Sequence, residues 1–98
     1  MTGETLDAPA ALACGLVDFV TSSETLTAEA EKSAKAFAAG PKLAYAGIKQ
    51  TMAKARSQGL ESQMEDEAFT LAGVARSHDA WEGISAFLEK RPPIFKGK

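Results

Sequence analysis

Residues 77–98 read SHDAWEGISAFLEKRPPIFKGK and carry the strongest structural signals in the chain. Either Ser77 or Asp79 can cap a helix here, and Glu82, three residues after Asp79, completes the pattern of a capping box. Arg91 precedes two prolines, and a residue before proline avoids the helical region. The stretch therefore predicts a short capped helix, a proline stop and a basic tail whose last residues are mobile.

Three longer helices are predicted upstream of this stretch, because helix-forming residues there place apolar side chains at helical spacing. The first runs from about residue 25 to residue 39. Gly40-Pro41 breaks it and begins the second helix, since proline suits the first turn. Residues 57–59 end the second helix, and the third runs from about residue 60 to residue 76.

A short helix is predicted from Ala8 to Cys14, with Asp7 as its N-terminal cap and Gly15 as its stop. The next residues, Leu16–Val20, are rich in β-formers and predict a short extended segment that could act as an edge strand. The sequence offers this segment no strand partner. The predicted fold class is mostly all-α, with three longer helices, two short ones and one short extended segment near the N-terminus.

The composition limits the size of the core. Ninety-eight residues form one domain at most, and alanine supplies much of the 45% hydrophobic content. A core of small side chains yields less burial free energy per residue than leucine or phenylalanine would. We therefore expect marginal stability unless a partner covers the apolar faces of the helices.

Charge and cysteine content exclude several classes of function. The formal net charge of −2 argues against general nucleic-acid binding, which usually requires a basic excess. The single cysteine, Cys14, excludes an intrachain disulfide, and the acidic block around Glu65 lacks the histidine that would suggest a metal site. No apolar run approaches the ~20 residues of a membrane span, and Met1–Glu4 lacks the start of a secretory signal. The expected compartment is therefore the cytoplasm.

Three motifs follow one another over essentially the whole chain. Together they resemble the crotonase (enoyl-CoA hydratase/isomerase) family. The motifs are Thr2-Gly3-Glu4 with Ala8, Ala11, Gly15-Leu16-Val17-Asp18 and Val20; then Gly40-Pro41 with Ala44 and Lys49; and finally Asp79, Glu82 and Gly83 through Lys98.

The resemblance implies an enoyl-CoA hydratase or isomerase that acts on acyl-CoA thioesters, such as those of fatty acid metabolism, through an enolate-type intermediate. In this family a β/α-spiral core binds the thioester and holds its carbonyl with two backbone N–H groups, which form an oxyanion hole. The catalytic segments of that core precede the position at which this sequence begins. We therefore expect no catalytic residue here, no cofactor beyond the coenzyme A thioester substrate, and no activity of the isolated chain.

The resemblance also implies a division of the chain and a set of partners. Residues 1–23 correspond to the connection between core and helical region, and residues 24–98 to a C-terminal helical association domain. In the family these helices mediate trimerisation and cover the CoA pocket of a neighbouring subunit. The expected partners are the catalytic core and neighbouring subunits, in a trimer or a dimer of trimers, together with acyl-CoA. Neither nucleic acid nor a membrane is expected.

Two residues match family contacts with the ligand. Phe87 corresponds to the aromatic residue at the CoA and acyl pocket, and Lys90 corresponds to the lysine that approaches the phosphorylated ribose of CoA from the adjacent subunit. A lysine is a point charge suited to phosphate. Phe87, one turn before it, would lie on the same side of the helix. Two plainer interpretations stay open: an ordinary core aromatic for Phe87 and a solvated lysine for Lys90.

A second hypothesis treats the chain as an autonomous helical protein-interaction module unrelated to acyl-CoA. The segment from Phe87 to Lys98 discriminates between the two hypotheses, because an interaction module has no need of the arrangement F-x-x-K-R-x-P.

Overall fold

The computed structural model describes residues 3–98, so Met1 and Thr2, the first residue of the first family motif, lie outside the description. Within this range the chain forms five α-helices and no β-strand, which confirms the predicted, mostly all-α class with three longer helices and two short ones. The helices are α1 (Ala8–Ala13), α2 (Leu26–Ala39), α3 (Lys42–Ala55), α4 (Leu60–Ala75) and α5 (His78–Leu88).

Both ends of α1 follow the sequence prediction. The Asp7 carboxylate accepts a hydrogen bond of 2.9 Å from the Ala10 N–H and so caps the first turn. At the other end the Leu16 N–H donates to the Ala11 carbonyl at 2.9 Å, around Gly15 with a φ of 73°. Glycine adopts this left-handed conformation without the strain that a Cβ would cause, so the helix stops there.

The predicted edge strand at Leu16–Val20 is absent. Residues 16–18 form a bend, and no other segment of residues 3–98 is a strand with which this one could pair. A lone strand leaves its backbone groups without a ladder of hydrogen bonds. The β-forming composition of the segment therefore does not decide its conformation, and the edge-strand prediction is wrong.

The chain divides into two compact units, with the boundary between Ala34 and Lys35 inside α2. The first unit holds α1 and most of α2. The second holds the end of α2 together with α3, α4, α5 and the tail. The predicted division into a connecting segment, residues 1–23, and a helical association domain, residues 24–98, stays a prediction.

The corner between α2 and α3 depends on Gly40. This glycine is buried, and a Cβ there would overlap the Tyr45 ring. Tyr45 in turn packs edge-on against Phe37, with the ring centroids 5.9 Å apart. Pro41 takes the N-cap position of α3 rather than its predicted place in the first turn, with a ψ of 88° that lies outside the helical region.

In the second unit α3 packs against α4, and α4 contacts α5. The approach of α3 to α4 is closest at the buried Gly47, where a Cβ would lie 2.7 Å from the Thr70 Cγ2 methyl. Two polar contacts add to this packing. The Lys54 ammonium lies 2.8 Å from an oxygen of Asp66, and the Gln63 amide donates to the Thr51 carbonyl at 3.1 Å.

Few side chains are buried, which agrees with the small-residue core expected from the composition. Among residues 3–98 the buried ones are Ala11, Gly40, Gly47, Asp79 and Ala86. Twenty large hydrophobic side chains are exposed in the same range, and each of the helices α2, α3, α4 and α5 carries some of them.

Candidate functional site

The helix that carries the candidate residues begins at His78, with Ser77 as its cap. The Ser77 hydroxyl accepts a hydrogen bond of 3.0 Å from the Ala80 N–H. Since Ser77 is the cap, the third helical position belongs to Ala80. Asp79 and Glu82 therefore cannot form the predicted capping box, which needs an acid or amide at that position. Both acids bind the C-terminal tail instead.

Asp79 anchors the last residues of the chain. Its carboxylate accepts hydrogen bonds of 2.7 Å from the N–H groups of Lys96 and Gly97, and its own N–H donates to the Lys98 carbonyl at 2.9 Å. Only 3% of Asp79 is exposed. The Lys96 N–H holds the pKa of the carboxyl below its ordinary value, against the opposing effect of burial. The prediction of a mobile tail is wrong, because these hydrogen bonds hold the last residues against α5.

Glu82 binds the segment that follows the helix. Its two oxygens face the Arg91 guanidinium in a paired contact, at 2.6 and 3.0 Å, and it accepts a bond of 2.8 Å from the Ile94 N–H. The Arg91 contact and then the Ile94 N–H lower the pKa of Glu82 to about 2. Arg91 also donates to Glu89 at 2.6 Å, and the two acids raise its own pKa.

Lys90 lies just beyond the end of α5 in the left-handed conformation, with a φ of 55°. Its N–H donates to the Phe87 carbonyl at 3.2 Å, and the Arg91 N–H donates to the Ala86 carbonyl at 3.0 Å. This pair of bonds is a Schellman turn. The direction of Lys90 is set by that turn. The prediction that Lys90 lies one helical turn after Phe87 and on the same side of the helix is therefore wrong. A backbone hydrogen bond nevertheless joins the two residues.

Phe87 lies on the surface of the second unit, with 83% of the residue exposed. It lines an open apolar depression of ≈ 380 Å³ together with Pro41, Gly83, Ile84 and Phe95. The interpretation of Phe87 as a core aromatic of this unit is therefore wrong. An exposed aromatic residue and an exposed lysine therefore follow each other closely in the chain at the C-terminal end of α5.

The contacts of Asp79, Glu82 and Arg91 with the tail are what sequence reasoning missed. A residue's hydrogen-bond partner 12 to 18 positions away leaves no periodic signal in the sequence. The available signal was the tail itself, whose backbone N–H groups follow two prolines and need acceptors if the tail is ordered.

Two features are absent from residues 3–98. No group of three or more histidine, cysteine, aspartate and glutamate side chains is placed to hold a metal ion. No helix in the same range is long and apolar enough to cross a membrane.

The whole chain, residues 1–98, matches the family model described as Enoyl-CoA hydratase/isomerase. The chain belongs to this family. The enoyl-CoA hydratase/isomerase resemblance of the three motifs is thereby confirmed, and α5 with its bound tail is part of the matched region.

Relatives of this enoyl-CoA hydratase/isomerase chain are considerably longer than the chain. It is 36% identical over 98 residues to a 1,2-epoxyphenylacetyl-CoA isomerase and 34% identical to a 2,3-dehydroadipyl-CoA hydratase, both of Escherichia coli strain K12. All of the chain is covered in both cases, against 37% and 38% of the relatives. An enoyl-CoA hydratase structure from Geobacillus kaustophilus HTA426 matches with a TM-score of 0.90 and 34% identity, over 99% of the chain and 37% of that structure.

Proposed function

We propose that this chain is the C-terminal part of a longer enzyme of its family, which acts on acyl-CoA thioesters through an enolate-type intermediate in the cytoplasm. In that enzyme the chain serves subunit association and forms one wall of the CoA pocket. The observation that carries the proposal is the length relation: the whole chain matches, yet it spans only 37% and 38% of two curated relatives.

The chemistry of the proposed enzyme belongs to the part that this chain does not contain. By family resemblance, backbone N–H groups of the core stabilise the charge that develops on the thioester oxygen, and core carboxylates move the proton. The isolated chain is therefore inactive in this proposal, with no catalytic residue and no metal or further cofactor.

The share of this chain in ligand binding falls to Phe87 and Lys90. An exposed aromatic ring beside an apolar depression suits the pantetheine and acyl portion of a thioester, which is largely apolar. Lys90, which is exposed and follows Phe87 closely in the chain, suits the phosphate on the ribose of CoA as a point charge. Both residues lie at the C-terminal end of α5, and their closeness along the chain supports joint action at one site.

Subunit association accounts for the exposed apolar side chains. A monomer seldom leaves so many large hydrophobic residues uncovered without a functional reason. In the proposed enzyme the catalytic core and neighbouring subunits cover them, in the trimer or dimer of trimers that the family resemblance implies. The alternative of a helical interaction module unrelated to acyl-CoA is disfavoured by membership of an acyl-CoA family.

The test compares Lys90→Ala with Lys98→Ala in the longer enzyme. We expect Lys90→Ala to raise the KM for acyl-CoA about fivefold at low salt with a smaller change in kcat, since an exposed phosphate contact contributes about 1 kcal/mol of uniform binding. Added salt should shrink the effect.

Lys98→Ala is the matched control, because it removes an exposed ammonium group from the same tail and leaves the backbone contact with Asp79 in place. Its KM should equal that of the unmodified enzyme. An unchanged KM for Lys90→Ala contradicts the assignment of the CoA contact to Lys90, and a raised KM for Lys98→Ala would move that contact to Lys98.

A further inference from the structure

The backbone conformation of Lys90 is one that lysine seldom takes. Lys90 is the only non-glycine residue with a positive φ in residues 3–98. A left-handed conformation is unfavourable for residues that carry a Cβ, and such strain persists where the surroundings enforce it. Strained residues also cluster at functional sites. Two points therefore need an explanation: which contacts keep Lys90 in this conformation, and which function the conformation has.

The end of α1 provides an internal comparison. Gly15 there has a φ of 73° and lies within the same pattern of hydrogen bonds that surrounds Lys90, with the Leu16 N–H donating to the Ala11 carbonyl. Glycine makes this turn without strain. At the end of α5 a lysine makes the same turn, so the one thing that the lysine adds is its side chain with an ammonium group.

Glu82 contacts the chain on the C-terminal side of the turn. It holds the two residues that flank the proline pair, Arg91 through the paired contact at 2.6 and 3.0 Å and Ile94 through a backbone bond of 2.8 Å. The side chain of Glu82 is only 16% exposed, so its position is restricted by its own surroundings. The Schellman bonds to Ala86 and Phe87 enforce the turn from the other side.

We propose that Glu82 is a positioning residue. By holding Arg91 and Ile94 it keeps Lys90 in the left-handed conformation and so fixes where the Lys90 ammonium meets an anionic group of the ligand. The identity of that anion, a phosphate of coenzyme A, rests on the proposed function; the role of Glu82 in shaping the turn rests on the geometry at the end of α5.

The backbone part of the proposal is tested by NMR on the 98-residue chain with Glu82→Gln. The variant loses the charge that pairs with Arg91, so we expect the three-bond N–H to Hα coupling of Lys90 to change and the Ile94 amide to exchange faster. Glu89→Gln is the matched control: it also removes an acid from Arg91 but leaves the contact between Glu82 and Arg91 intact. It should change neither signal.

An unchanged Lys90 coupling in folded Glu82→Gln overturns the proposal. Arg91→Lys provides a second route if Glu82→Gln unfolds, because lysine keeps the charge but cannot make the paired contact. It should shift the Lys90 coupling in the same direction, and an unchanged coupling there overturns the proposal as well.

The ligand part is tested by kinetics on the longer enzyme. Glu82→Gln should raise the KM for acyl-CoA about fivefold with little change in kcat, as Lys90→Ala does. In an enzyme that already carries Lys90→Ala, Glu82→Gln should add nothing, because its effect passes through the ammonium. Additive effects on KM overturn the positioning role.

The two proposals fail in different ways. If Lys90→Ala leaves the KM unchanged while Glu82→Gln still alters the Lys90 coupling, the CoA contact is wrong and the control of the turn by Glu82 stands. If Lys90→Ala raises the KM while Glu82→Gln leaves both KM and coupling unchanged, the CoA contact stands and the role of Glu82 is wrong.

Lys90→Gly separates the side chain of Lys90 from its backbone conformation. Its KM should equal that of Lys90→Ala, but its melting temperature should be higher than that of Lys90→Ala, since glycine adopts the left-handed turn without strain.

Discussion

The second compact unit contains two regions that are held in contrasting ways. The tail is held to α5 by short hydrogen bonds and an ion pair to two shielded acids, Asp79 and Glu82. The pair of α3 and α4 is held by close approach at Gly47 and by more exposed polar contacts such as Lys54 with Asp66. A chain with few buried side chains can thus order a segment through polar groups where apolar burial is scarce. The two regions should differ in what disrupts them.

Asp79→Ala is expected to lower the stability of the chain more than any other change considered below. It leaves the Lys96 and Gly97 N–H groups without their acceptor and removes a nearly buried carboxylate, so the tail should detach. We expect the melting temperature of the 98-residue chain to fall by on the order of 10 °C. Hydrogen exchange at Lys96 and Gly97 should become fast while amides of α3 keep their protection.

Asp18→Ala is the control for this change, because it removes an exposed aspartate from the bend after α1. Its melting temperature should stay close to that of the unmodified chain. If the Lys96 and Gly97 amides remain protected in Asp79→Ala, the carboxylate does not hold the tail.

Gly47→Ala tests the other region and should have an intermediate effect. The added Cβ would lie 2.7 Å from the Thr70 methyl, so one of the two helices must shift. Such overpacking costs about 1–3 kcal/mol, and the helix propensity of alanine returns about 1 kcal/mol. Urea unfolding should therefore show a net loss of about 1 kcal/mol.

Thr70→Ser removes the methyl group that the new Cβ would meet, so it should restore stability to Gly47→Ala. The double variant distinguishes a clash from a general intolerance of alanine at this site. A loss that persists in the double variant contradicts the clash. The tail amides should be unaffected throughout.

Lowering the pH is expected to have the smallest effect on stability. The pKa of Glu82 is about 2 in the folded chain against an ordinary value of 4.5, and that of Asp79 is also lowered. A carboxyl whose pKa is depressed by folding contributes stability above its unfolded pKa, and this contribution is lost as the pH falls through the folded pKa. Stability from Glu82 should be constant above about pH 5 and decline between about pH 4.5 and pH 2.

NMR titration of the Ile94 amide measures this decline, since that N–H binds Glu82 directly. The same titration in Glu82→Gln should lose the step near pH 2. An Ile94 signal that titrates near pH 4.5 in the unmodified chain contradicts a carboxylate held ionised by Arg91.

The sequence predicted the helices well because glycine, proline and capping residues interrupt it at regular places. Gly40-Pro41 and Gly59 mark boundaries by local sterics alone, and Asp7 caps α1 through its neighbours. The edge strand failed because strand formation depends on a partner elsewhere in the chain. Local sequence rules are sufficient to predict where helices end, but they are not sufficient to predict which strands pair.

The candidate site was predictable only in part. The motif residues Phe87 and Lys90 both lie at one end of α5, but Lys90 lies beyond the helix and so does not follow Phe87 by one helical turn. The left-handed turn at Lys90 was not predictable, because lysine itself disfavours that conformation and the enforcing contacts come from Glu82 and Ile94. Hydrogen bonds from backbone N–H groups far along the chain to an acidic side chain do not affect the local helix propensity, so the sequence pattern does not reveal them.

The exposed apolar side chains described above also bear on the fate of the chain in a cell. Chaperones and proteases recognise uncovered hydrophobic surface, and Phe37, Met52 and Leu60 all offer it, with 67%, 67% and 76% of each residue exposed. Synthesis without a covering partner would therefore lead to retention or degradation. If the 98 residues were expressed with these side chains uncovered, their abundance would depend on how fast chaperones and proteases remove them as well as on their rate of synthesis.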